Sequence, residues 1–338
     1  MFSTKTSAAG LSILSNSLLV ALKLAAGLAM GSVSVISEGV HSAVDLLAAM
    51  IAFFSIRAAA KPADEEHEFG HGKIENISGT IEALLIFLAA ILIIREAIVK
   101  IIDRAQPEFI TLGIGIMAFS AVVNFFVSRR LHRIAHSTDS IALEADAWHL
   151  TTDVYTSLGV FAGLIVVEIT HWYILDPIIA IGVALLIIRA AWNITRKSIS
   201  GLVDERLPKA EEDIITASII EHLGEITGFH ELRTRKAGSQ RYINLHLVLP
   251  KSVTLEEAHR LCDHLEGDIK NKLSNGLVTI HCEPCEQGED GSCPPECPVI
   301  DCSIHVEKGG PGPTQHTSRS VRPNKLRLLR QRRFRKQA

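Results

Sequence analysis

Two stretches of the chain set imidazole and carboxylate side chains at helical spacing within apolar sequence. One carries Glu38, His41 and Asp45; the other carries Asp146, His149 and Asp153. Both sets have offsets of 0, 3 and 7, so each occupies one face of a helix. Each contains His-x-x-x-Asp, its two side chains one turn apart. Two such helices packed face to face would offer His41, Asp45, His149 and Asp153 to one point. Two nitrogen and two oxygen donors suit a tetrahedral divalent ion, and Zn²⁺ fits them well. The same set disfavours Mg²⁺ and Ca²⁺, which want oxygen. The alternative is a group of buried hydrogen bonds that tie helices together. Against it, a lone carboxylate at mid-membrane costs roughly 2.5–3.5 kcal/mol on insertion scales, and each stretch would bear one. Metal binding or protonation relieves that cost. Glu38 and Asp146 are read as neighbours that line a pathway or carry protons, not as ligands.

The elements that must position these groups are apolar. Of 338 residues, 47% are hydrophobic and only 5% aromatic, and the mean hydropathy is +0.25. That weight of Ala, Leu, Ile and Val excludes a small secreted domain, a collagen-like chain and a coiled coil. The first 200 residues read as six helical spans, 8–30, 33–59, 74–102, 109–130, 141–169 and 174–194. Internal Asn16, Lys23, Glu82 and Asn124 argue against spans that face lipid all round, so a bundle with a polar interior is expected. The N-terminus lacks a convincing signal-peptide pattern, and its first span is read as retained. Basic residues gather on one side: Lys5, then Arg57, Lys61 and Lys73, then Arg129, Arg130 and Arg133, then Arg196 and Lys197. This bias places both termini in the cytoplasm. The expectation is an integral, multi-pass protein of the cell (inner) membrane, with the lipid bilayer as its surroundings.

After Gly201 the composition changes. A helix is expected over 208–223, opened by Pro208 and an acidic first turn. Strands over 231–236 and 241–249 are split by a Gly238–Ser239 turn; a helix over 255–273 and a strand over 277–281 follow. The order αββαβ predicts a small α+β, ferredoxin-like domain over 204–285, with helices on one sheet face. The chain thus divides into an all-α six-helix transmembrane bundle (1–203), this cytoplasmic domain, and a tail (286–338) whose Gly, Pro, Ser and charge read as disordered. The net charge of −3 hides a split: the last 20 residues hold nine Lys or Arg and no acid, leaving −12 on the rest. Five of the six Cys lie between Cys282 and Cys302, which argues against a disulfide scaffold. Cys282 and Cys285 form Cys-x-x-Cys, and with Cys293, Cys297 and Cys302 they could make a thiolate zinc site, although the spacing matches no familiar finger. The terminal run through Arg330, Arg332, Arg333, Arg335 and Lys336 is either a solvated tail or a contact for anionic headgroups. With no folded reader and no aromatic interleaving, no nucleic-acid partner is expected.

Phe69, Gly70, His71, Gly72 and Lys73 stand just before the third span. Together with the two His-x-x-x-Asp pairs they make residues 5–285 resemble the cation diffusion facilitator family. The resemblance implies a metal/proton antiporter, not an enzyme, that moves Zn²⁺ and related ions out of the cytoplasm as a homodimer by alternating access. It implies a transport site of His41, Asp45, His149 and Asp153, with a His-containing first position like that of zinc-preferring members. It leaves Fe²⁺, Co²⁺, Cd²⁺ and Mn²⁺ open. It implies a loop site at Asp64, His67 and His71; the alternative is a solvated acidic loop that attracts cations. It also implies a dimer-stabilising metal pair at His230, His246, His259, His281 and Glu283, with Glu where Asp is common; the alternative is scattered surface His. Lys73 and Asp204 or Glu205 would form a hinge pair between bundle and domain. Zn²⁺ would then be substrate and a possible structural or regulatory ion, with no organic cofactor. The chemistry supports exchange: the site binds metal with neutral His and ionised Asp, and protons compete because His titrates near neutral pH. Two other functions compete. One is a membrane-embedded metalloenzyme, whose metalloprotease form requires His-Glu-x-x-His, a motif this reading does not find in the chain. The other is a metal-gated channel or sensor without transport.

Overall fold

The structure is a computed structural model, and it describes residues 2–30, 33–103, 111–170, 172, 174–222 and 225–285. The expected disordered tail, with Cys293, Cys297, Cys302 and the basic run, lies outside the described residues, as does the side chain of Glu38.

The first 200 residues form helices α1 (Phe2–Met30), α2 (Val33–Ala59), α3 (Lys73–Asp103), α4 (Thr111–Thr138), α5 (Ile141–Thr170) and α6 (Leu175–Leu202). Among the described residues, four stretches are long and apolar enough to cross a membrane: Thr4–Ala29, His41–Ala59, Lys73–Ile102 and Pro177–Leu202. Helices α4 and α5 are as long, the first closing on Arg129, Arg130, His132 and Arg133, the second opening on Glu144, Asp146 and His149. Helix α3 lies along α6, α1 along α2 and α4 along α5; α5 also touches α1, α2, α3 and α6 and so runs through the middle of the bundle. Small side chains allow that closeness: Ala8, Ala9, Ala135, Ala142 and Ala147 are buried together with Leu131, Leu143 and Leu150. The outer surface is the apolar one. Leu14, Leu18, Leu84, Leu88, Phe126, Leu185 and Leu186 are exposed, while Asn16, Lys23, Glu82, Asn124 and Asp146 are buried. This distribution suits a surrounding of hydrocarbon, where polar groups must find partners inside.

The C-terminal domain consists of α7 (Lys209–Glu221), β1 (Gly228–Ala237), β2 (Gln240–Leu249), α8 (Leu255–Lys272) and β3 (Gly276–Pro284). The sheet order is β1-β2-β3, antiparallel between the first pair and parallel between the second. Alternation along β2 turns Ile243, Leu245, Leu247 and Leu249 into a core with Ile215 and Ile219 of α7 and Leu265 and Ile269 of α8. His246, between Leu245 and Leu247, is therefore turned to the other face. Helix α8 starts where Thr254 and Glu257 cap each other reciprocally.

The β1–β2 turn docks against the foot of the bundle. The Gly238 N–H donates to Asn76 Oδ1 at 2.7 Å. Lys5 bridges Glu75 at 2.9 Å and Ser239 at 3.1 Å. Asp139, between α4 and α5, holds Lys236 at 2.5 Å and Arg241 at 2.8 Å. Burial acts to raise the Asp139 carboxyl, but Lys236 and Arg241 outweigh it and hold the group below its ordinary 3.8. A depressed folded-state value means the clasp stabilises the docked form at neutral pH and is lost as pH falls through that value. Asp139→Asn is expected to speed amide exchange in the β1–β2 turn about three- to tenfold at neutral pH, as suits the roughly 1 kcal/mol of a partly exposed, solvent-screened pair. The wild-type turn should approach the variant only in acid below the usual carboxylate range. Equal exchange rates at neutral pH would remove Asp139 from the docking contact.

Candidate metal centre

Helices α2 and α5 bring the two His-x-x-x-Asp faces together. His149 Nε2 lies 2.9 Å from Asp45 Oδ1, and His41 Nε2 lies 3.9 Å from the same oxygen. His41, Asp45 and Asp153 offer ligand atoms that all lie within 4.8 Å of one another. Asp45 and His149 are buried, whereas His41 is half-exposed, with 54% of its side chain accessible. The cluster therefore has one open flank. Asn124 of α4 donates to Asp153 Oδ2 at 3.3 Å and fixes that carboxylate from behind. Sequence reading marked Asn124 as polar but did not place it at the centre, because the rotation of α4 against α5 is not encoded in the period of α4 alone. Asp146, one turn before His149, points elsewhere: Ser12 of α1 donates to its Oδ1 at 3.1 Å. Glu82 is fully buried nearby in α3 and accepts from Ser78 at 3.2 Å. Neither joins the four donors.

In the α2–α3 loop, Asp64 meets His67 Nδ1 at 3.1 Å and His71 Nε2 at 3.3 Å. The His67 backbone N–H donates to the carboxylate and, with both imidazoles, holds it below its usual range. The sequence reading overlooked one match here: residues 67–71 spell His-Glu-Phe-Gly-His. In a zinc-binding metalloprotease that motif sits on a helix, with both imidazoles on one face. Here it lies in irregular loop ahead of α3, so a metalloprotease gains no support.

The Phe-Gly-His-Gly-Lys run does structural work. The Phe69 ring packs edge-on to Tyr242 at 5.9 Å, and the Arg235 guanidinium lies over both rings. Lys73 pairs with Asp204 at 3.0 Å, and Arg235 with the same carboxylate at 3.2 Å. Burial acts to raise Asp204, yet these two cations hold it below its usual range. Lys73 and Asp204 thus meet, with Arg235 as a third member of the ion-pair group; Glu205 instead bonds Ser200.

On the sheet face away from the helices, Glu283 gathers the imidazoles: His230 Nε2 at 2.9 Å, His246 Nδ1 at 2.8 Å and His281 Nε2 at 3.6 Å. Burial acts to raise Glu283, but His230 and His246 prevail and lower it. His259 does not join them within one chain. It is exposed on α8 beside Asp263 at 3.6 Å, and α8 covers the opposite sheet face. Cys282 also faces the helices, its Sγ 3.0 Å from that of Cys262. Burial and this contact push the Cys262 thiol up to about 12, a poor source of thiolate. Among the described residues, no group of metal-binding size includes Cys282 or Cys285.

Comparison with known proteins covers almost all of the described chain. Residues 10–203 match the family model described as the cation efflux transmembrane domain. Residues 207–285 match the cation efflux protein, cytoplasmic domain. An uncharacterised transporter of Synechocystis sp. is 37% identical over 82% of this chain and 89% of its own length. The cation-efflux pump FieF of Salmonella paratyphi A is 29% identical over 80% of this chain and 89% of its own. A solved structure of CzrB is 39% identical over 23% of this chain and 96% of its own, with a TM-score of 0.23.

Proposed function

Since the chain belongs to the cation efflux (cation diffusion facilitator) family of membrane transporters, we propose that it exports divalent transition-metal ions, Zn²⁺ foremost, from the cytoplasm in exchange for protons. It is a transporter rather than an enzyme. The observation that carries the proposal is the convergence, inside the helical bundle, of His149 and Asp45 at 2.9 Å with His41 and Asp153 beside them. Two imidazoles and two carboxylates from two helices form a borderline-soft donor set for the substrate ion. The half-exposed His41 is the flank through which an ion enters. Protons titrate the same four groups, so an ion leaves when the site meets a more acidic compartment.

Further parts of the proposal rest on the same frame. The helices α1–α6 are six spans in the cell membrane, with both termini cytoplasmic; the basic residues at the feet of α2, α4 and α6 support that orientation. The C-terminal domain acts as the contact of a homodimer, and its His230, His246, His281 and Glu283 group takes a regulatory ion, as does the Asp64, His67 and His71 loop. The test uses vesicles reconstituted with the full chain and loaded with a metal-sensitive dye. Zn²⁺ uptake is expected to rise when the lumen is made acidic and to collapse when an ionophore dissipates the gradient. Uptake indifferent to the gradient would sink the exchange mechanism. Parallel arms with Fe²⁺, Co²⁺, Cd²⁺ and Mn²⁺ rank the substrates.

A further inference from the structure

We infer that the C-terminal domain carries a separate metal-binding site made by His222, His264 and Asp268, suited to Zn²⁺ or another borderline divalent ion. The site lies on the helix side of the sheet, where the end of α7 meets α8. His222 Nε2 is 3.5 Å from Asp268 Oδ2, and His264 Nε2 is 3.8 Å from the same oxygen. The two imidazole rings stand edge to face, 5.2 Å apart. One ligand atom from each residue falls within 4.8 Å of the other two. Donors around a tetrahedral Zn²⁺ are about 3.3 Å apart, so a small rotation of the exposed His264 closes the set.

The orientation of the two rings points to a cation. His222 Nδ1 lies 2.9 Å from the Ser218 carbonyl oxygen. A carbonyl only accepts, so Nδ1 carries the proton and donates it there. Nε2 is then the atom turned toward the carboxylate, in a side chain with only 10% of its surface exposed. His264 brings a second Nε2 to the same oxygen. One metal ion serves all three groups at once. The bond from Nδ1–H to a backbone carbonyl is also how metal-ligating imidazoles are commonly held. Among the described residues, Asp268 pairs with these two His and with no Lys or Arg; the nearby Lys272 is held by Glu221 at 2.9 Å.

Three protein donors leave a fourth position open to water, so the ion exchanges with solution. When bound, it ties the last turn of α7 to α8. Since α7 follows directly on α6 and the Asp204 hinge, metal at this point stiffens the element that connects bundle to sheet. The proposal stands apart from the transport reading, and its test needs no transport.

Full-length protein in detergent is stripped of metal, loaded with Zn²⁺, desalted and analysed for zinc per chain. His264→Ala and Asp268→Asn, both at partly exposed positions, are each expected to lose one equivalent relative to wild type. Both should also lose the Zn²⁺-dependent slowing of amide exchange over the last turn of α7. A His230→Ala/His246→Ala variant should keep that slowing, which assigns the lost equivalent to the helix side. Unchanged zinc content in either single variant, or slowing that persists in it, would overturn the site.

Discussion

Replacing Asp45 or Asp153 with Ala is expected to lower Zn²⁺ flux by at least about 100-fold, the largest effect of any single change in the chain. Losing an outer-sphere partner of a metal ligand typically costs 10–100-fold, and in the proposed site these carboxylates are the ligands themselves. They are also the only formal negative charges among the four donors, so either change leaves a divalent ion with one compensating charge in a site of low dielectric. Asp45 is the more central, because it meets both His149 and His41. Its removal also leaves the buried His149 without its 2.9 Å partner. Asn124→Ala acts through Asp153, and its effect should be smaller, roughly tenfold, at the lower end of that outer-sphere range. The readout is initial metal flux per reconstituted transporter, beside growth of a metal-sensitive host in excess Zn²⁺. A protein that has merely misfolded is recognised by altered circular dichroism and gel-filtration elution, both of which the Asp variants should share with wild type. Transport that survives either Asp→Ala change would refute the site.

The meeting of the two His-x-x-x-Asp faces was readable because the pattern on each helix is local. His and Asp four residues apart on each of two helices need only one further fact, that the two faces meet, and buried carboxylates in apolar segments make that meeting favourable. The alternation of β2 fixed the core face of the C-terminal domain in the same way. What stayed hidden depends on the relation between elements distant in sequence. Asn124 could not be tied to Asp153 without the rotation of α4. His259 could not be separated from His246 without knowing that α8 covers the face formed by Leu245 and Leu247. Cys282 looked like half of Cys-x-x-Cys, whereas strand parity sends it toward Cys262 and away from Glu283. The Phe69–Lys73 run marked the family, but its physical task appears only where the loop meets the β1–β2 turn.

That meeting leads to the second large effect, expected for Gly72→Val. A Cβ on Gly72 would sit 2.5 Å from the Ala237 carbonyl oxygen and 3.1 Å from its carbon. Both obstacles are backbone, so no side-chain rotation relieves them. On the other side Gly238, at φ +59°, would place its own Cβ 2.6 Å from the Gly72 oxygen. Two glycines thus pass back to back where the C-terminal domain rests on the bundle. Around them Phe69 packs on Tyr242, Lys73 pairs with Asp204, and Gly238 donates to Asn76. Overpacking a tight contact costs about 1–3 kcal/mol, and here the least costly response is to lift the turn away and forfeit these neighbours. Gly72→Val is therefore expected to cut flux roughly tenfold, in line with about 1.4 kcal/mol, while zinc affinity at the proposed site of His41, Asp45, His149 and Asp153 changes little. Amide exchange should quicken in the β1–β2 turn and the first turn of α3, but not in the α8 core around Leu265 and Ile269. Lys73→Ala should act in the same direction and more weakly, since a partly exposed ion pair is worth about 1 kcal/mol or less. Normal flux with an unaltered turn in Gly72→Val would show that the contact tolerates bulk. Faster exchange throughout α8 would instead mean that the domain itself had come apart, and the role of the glycine pair in docking would fall with it.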